Sequence, residues 1–164
     1  MTHEIIVKKD EERVLPILWT GQDTEISYTI KLSGIGSSIT LLALMLGRES
    51  QKVTLKITVY HMKPKTKSRV IVKGVLLDSS SMQFDGLVNI MPSAKGTNAW
   101  LAAHILLLSD KARGVAVPSL EILENDIKAG HATTVGRVND LAGKRVDAVD
   151  IRHPRLGQDP GRDE

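Results

Sequence analysis

Five histidines and no cysteine are the first facts of chemical interest in this sequence. Without thiols the chain can build neither a disulfide framework nor a thiolate metal site of its own. Imidazole is then its best soft-to-borderline ligand. The neutral ring binds transition metals. His131 has the most suggestive setting, "KAGHATTVG", Lys128 to Gly136. One histidine is not a site, so a metal role for His131 requires ligands from a partner chain or a second copy. The plainer reading is a polar residue bonded to backbone at a strand end. His61 closes a strand-like stretch and reads as packing or capping a turn. His104 precedes "ILLL" and could offer a second nitrogen. His3 and His153 lie in terminal segments and read as solvated.

Other catalytic patterns are missing. "SGIGSSI" has Gly34 and Gly36 but neither the third glycine nor the following helix of a dinucleotide loop, and reads as a turn. No Walker A sequence occurs, so ATP would have to be handled by a partner. Asp78 and Asp85 could be imagined as a glycan-cleaving pair, but nothing fixes them in one cleft, and Asp/Ser turn chemistry explains Asp78. The expectation is a protein that is not an enzyme.

The elements that must hold these side chains are strands. In "TEISYTIKL", Ile26, Tyr28, Ile30 and Leu32 share one face and Glu25, Ser27, Thr29 and Lys31 the other. "KVTLKITVY" repeats the alternation with Val53, Leu55, Ile57 and Val59, and "SMQFDGLVNI" with Met82, Phe84, Val88 and Ile90. Strand starts near Thr24, Ser38, Val53, Arg69, Met82 and Asn98 fall at roughly fifteen-residue intervals, separated by turn residues. Later starts near Val115 and Ile127 keep the beat less cleanly. Such spacing suits a sandwich, a barrel or a solenoid. Two strands per coil would give a repeat of about thirty residues. Periodicity alone leaves solenoid and sandwich level.

With 164 residues, 41% hydrophobic and 25% charged, the chain reads as one soluble globular domain. Aromatics are only 3%, so the core must come from aliphatic side chains, and few platforms exist for stacking bases. The net charge is +3, densest at Lys52, Lys56, Lys63, Lys65, Lys67, Arg69 and Lys73. That run reads first as a solvated strand face and turn rather than a nucleic-acid site. The start "MTHEIIVKKDEERV" lacks the apolar core of a signal peptide, and the longest apolar run, Leu41 to Leu46, is too short to span a bilayer. No nucleic acid, no membrane and a cytoplasmic location are expected.

The stretch "LLLSDKARGVAVPSLEILENDIKAGHATTVGRV" resembles the C-terminal core of the SufB/SufD proteins of iron–sulfur cluster assembly. The shared pattern is carried by Leu106 to Asp110, Pro118, Leu120 to Ile122, and His131 with Ala132, Thr133 and Thr134. Upstream, His61, Thr66, Ser68, Lys73 to Val75, Phe84 and Gly86 match further segments. The resemblance covers about residues 24–140. It implies an all-β fold, a right-handed parallel β-helix with about two strands per coil, which resolves the tie left by periodicity. It also implies a scaffold working with a SufC-like ATPase and a SufB-like protein or a second copy of itself, most simply a homodimer. His131 would then be a metal ligand shared with that partner. Two departures matter. The family's SufB cysteine has Ala103 or a neighbour in its place, and Ala132 follows His131 where SufB has glutamate, so the chain is closer to SufD.

The expected organisation is an N-terminal strand or capping segment over 1–23, a β-helix core over 24–136, a short helix or turn over 137–151, and a disordered tail over 152–164. The family's N-terminal helical region and most of its C-terminal one are expected to be absent. No cofactor is expected to stay on the lone chain, though iron or an iron–sulfur cluster could visit it within a complex. The alternative function is a solenoid module for structure or oligomerisation, without cluster chemistry.

Overall fold

A computed structural model describes residues 1–21 and 24–137, and they form ten strands. These are β1 (Thr2–Val7), β2 (Glu12–Trp19), β3 (Thr24–Leu32), β4 (Ser38–Gly47), β5 (Lys52–His61), β6 (Lys67–Leu76), β7 (Ser81–Ile90), β8 (Thr97–Leu107), β9 (Arg113–Ile122) and β10 (Ile127–Arg137). Odd strands build one sheet in the order β1-β3-β5-β7-β9, and even strands a second in the order β10-β8-β6-β4-β2. Every pairing is parallel. Two strands per coil and five coils make a parallel β-solenoid, as the resemblance implied. Thr24 lies beside Val53, Ser38 beside Lys67 and Lys52 beside Ser81, a repeat of 29 residues.

Alternation along each strand decides which side chains point in. Leu41, Val70 and Leu101 stack in register and are all buried, as are Ile30, Val59 and Val88. The faces read from the sequence for β3, β5 and β7 are the inward ones. The N-terminal segment is built of strands: β1 and β2 pair with β3 and β4 and form the first coil. The alternation is blurred there because Val14 and Leu18 are apolar yet lie on the outer face of β2, opposite Thr40 and Leu44. At the other end the last strand runs to Arg137. The helix or turn and the tail expected beyond it lie outside the described residues.

The corners explain the turn sequences. Asp10, Gly36, Lys65 and Gly96 stand at the same corner of successive coils, each with positive φ. Each donates its backbone N–H to the next coil: Asp10 to Ile35 O, Gly36 to Pro64 O, Lys65 to Lys95 O and Gly96 to Asp126 O, at 2.7–3.1 Å. A hydroxyl then closes the corner from inside, with Ser37, Thr66 and Thr97 donating to Gly34 O, Lys63 O and Ala94 O. The glycines of "SGIGSSI" therefore serve the turn. Gly36 takes the left-handed conformation, and a Cβ on Gly34 would stand only 1.9 Å from Lys9 N.

Candidate functional site

His131 lies on β10, the last strand of the second sheet, in register with Leu101. It continues the inward column of Leu41, Val70 and Leu101. No coil follows among the described residues, so this inward position is exposed. Its imidazole has no hydrogen bond or ion pair among the described residues. Ala129 precedes it on the same inward face, and Thr133 follows. Across the open end, Ala116 and Leu120 of β9 pack on the core. The site is thus one imidazole on an apolar rim, beside β9 and β10, whose outer edges are unpaired among the described residues.

Ala103, fully buried, pairs with Thr133 and so shares the inward face with His131. A cysteine at this position would face the same interior; here there is a methyl group. His104 pairs with Thr134 and points outward, half-buried, in a row with Leu44 and Lys73. Strand parity therefore separates His104 from His131, and the structure does not bring them together. Among the described residues no three His, Cys, Asp or Glu side chains come together to hold a metal ion. His3 belongs to the opposite open end, stacked on Tyr28 with ring centroids 4.8 Å apart. His153 lies outside the described residues. Asp78 accepts the Glu49 N–H at a corner, whereas Asp85 takes the Gln83 amide on the outer face of β7, so no paired carboxylate forms.

His61 is the opposite of His131. It is fully buried between Leu32 and Ile90 in the inward column of the first sheet. Nδ1 is 2.8 Å from Thr66 Oγ1 and Nε2 is 2.8 Å from Ser68 Oγ. The Thr97 hydroxyl hydrogen goes to Ala94 O, and that of Thr66 to Lys63 O or Thr97 Oγ1. Thr66 Oγ1 must then accept from Nδ1–H, and Nε2 accepts from the Ser68 hydroxyl. This assignment uses every hydrogen in the cluster, whereas the other tautomer strands the Ser68 proton. Burial pushes the imidazole pKa down to about 4, so the ring is neutral at pH 7. Both nitrogens are occupied, and His61 is structural.

Sequence reasoning missed why Gly130 is a glycine. A Cβ there would stand 2.7 Å from Cζ3 of Trp100, so the indole lies over the bare backbone of β10. The clue was a tryptophan one coil, 30 residues, before a glycine.

The family model described as "SUF system FeS cluster assembly, SufBD core domain" matches residues 5–142. The iron–sulfur cluster assembly protein SufD of Bacillus subtilis is 35% identical over 73% of this chain and 27% of its own length. A SufBD family protein of Mycobacterium leprae is 32% identical over 84% of this chain and 37% of its own. SufD of Escherichia coli is 28% identical over 67% of this chain and 26% of its own. The chain thus spans about a quarter to two-fifths of the length of these relatives.

Proposed function

Because this chain belongs to the SufBD core family of iron–sulfur cluster assembly, we propose that it is a non-enzymatic scaffold component of a SUF-type system. It works with a SufC-like ATPase and pairs with a SufB-like protein or a second copy of itself. The observation that carries this reading is His131: an unbonded, exposed imidazole on an inward column at an open coil end. An edge strand with unpaired backbone groups readily takes a partner strand, and a partner docked on β9 or β10 would close its own side chains over this imidazole. The cluster or its iron is cargo here. His131 supplies one ligand, and the partner supplies the thiolates that this chain lacks.

No helix among the described residues is long and apolar enough to cross a membrane. The reading puts the protein in the cytoplasm, where an ATPase partner finds its nucleotide. The test is anaerobic cluster transfer to an apo-ferredoxin by the full chain with the SufB-like and SufC-like proteins of its own host. His131→Ala should reduce transfer several-fold while stability moves by less than about 0.5 kcal/mol, since the side chain is exposed and unbonded. Unchanged transfer would remove His131 as a ligand. Transfer unaffected by omitting the chain would leave it a structural solenoid module.

A further inference from the structure

The two outer faces of the solenoid differ in a way that cluster chemistry does not explain. The first sheet mixes charges of both signs and pairs several: Lys31 with Glu4 at 3.1 Å, and Lys56 with Glu25 at 2.6 Å. On the second sheet, strand parity turns outward four cations, Lys67, Arg69, Lys73 and Lys128, and one acidic side chain, Glu12. None of the four cations has an ion pair among the described residues. The sequence run of lysines is thus split by the fold, and its second half lands on this face.

Lys67, Asn98 and Lys128 stand side by side on adjacent strands, and Arg69 stands beside Trp100 in the next row. They line a groove of about 760 Å³ with Glu12, Ser38, Thr40 and Gly130. Trp100 is 41% exposed, its ring seated on Gly130. The next row is apolar, Pro16, Leu42, Ile71, Ala102 and Ala132, and one step beyond it Leu18 and Leu44 stand beside Lys73 and His104; Leu18, Leu42 and Leu44 are 41–73% exposed. Five strands at about 4.8 Å make each row about 19 Å long, the length of about thirteen helical residues.

We propose that this outer face is a docking surface for an acidic, amphipathic segment of a partner protein. Carboxylates on one side of such a segment answer the cations, and its apolar side covers the leucine rows and the indole. A second copy of this chain is a poorer occupant, because it would bring four more cations and only Glu12 to meet them. A nucleic acid would leave the leucines uncovered. The proposal goes beyond the scaffold reading and does not depend on it.

The test uses the full chain and a labelled synthetic peptide of about fourteen Leu and Glu residues in amphipathic helical order. A Leu/Lys peptide of the same order and inorganic polyphosphate serve as comparison probes. Anisotropy should show binding of the Leu/Glu peptide, weakening with salt. Lys67→Glu with Arg69→Glu, and separately Leu44→Ser, should each weaken it about tenfold, with melting temperature unchanged. Equal binding of the Leu/Lys peptide would overturn the proposal by showing mere adhesiveness. Polyphosphate binding that ignores Leu44→Ser, without peptide binding, would make the groove a phosphate site. Absence of peptide binding, with Leu44→Ser turning a dimer into a monomer, would assign the face to a second copy.

Discussion

Lowering the pH from about 7.5 to about 5 should destabilise this protein through His61. The ring is held neutral in the fold, its pKa lowered from 6.5 to about 4 by burial. In the unfolded chain the same ring takes a proton below about pH 6.5. The unfolded state therefore binds more protons between the two values, and stability falls as pH drops through that window. The full loss, reached near pH 4, is about 3 kcal/mol, and about 2 kcal/mol is already gone at pH 5. Glu11, held below its ordinary value by the Lys8 N–H and Arg13, and Glu25, held down by Lys56, lose their contributions only under their unfolded value of 4.5. Guanidinium unfolding followed by far-ultraviolet circular dichroism reads the difference. His61→Leu should flatten it, at a cost of about 1–3 kcal/mol at neutral pH, because Ser68 Oγ stays buried without its partner. Adding Ser68→Ala should recover part of that cost. If the wild type and His61→Leu show the same pH dependence, the buried neutral imidazole is not the cause and the reasoning fails.

Gly86→Ala should cost about 1–3 kcal/mol by overpacking, since its Cβ would stand 2.6 Å from Phe84 Cζ and 2.9 Å from Leu101 Cδ2; thermal melting checks it. Lys65→Gly should raise the melting temperature slightly, by about 0.5 kcal/mol of net relief, because Lys65 holds φ at 58° where a side chain is strained; a lower temperature would count against the corner argument. The purified chain reconstituted anaerobically with iron and sulfide should hold no stoichiometric cluster, as absorption and iron analysis would report, because its sequence has no thiolate.

Much of the fold was legible because the buried columns force strict alternation. Ile26 to Leu32, Val53 to Val59 and Met82 to Ile90 each gave the strand and its inward face. What alternation could not give was the choice between solenoid and sandwich, since inward stacking looks the same in both until the pairing is known; the family resemblance supplied that. In β4, Leu42 and Leu44 point out and are apolar, so the strand shows no clean alternation in the sequence. At the site, the sequence marked His131 but not its geometry. Exposure there comes from being on the last described strand, a fact of coil order rather than of local residues. His61 and His131 both resemble family positions, yet one is locked by two hydroxyls and the other is unbonded, because hydroxyl partners five and seven residues away exist only for His61.

The 29-residue register gives the molecule a unit of length. Residues 38–66 span one such unit, and their removal would join Ser37 to Lys67, the register partner of the Ser38 that now follows it. β2 would then meet β6, and β3 would meet β7, with every inward residue still inward. Leu32 would sit directly on Ile90, in the column that His61 now interrupts. The chain would be shorter by about 4.8 Å along its axis, with its cross-section unchanged. A protein built this way can gain or lose height in whole steps, and the distance from its first coil to the His131 end is set by how many steps it contains.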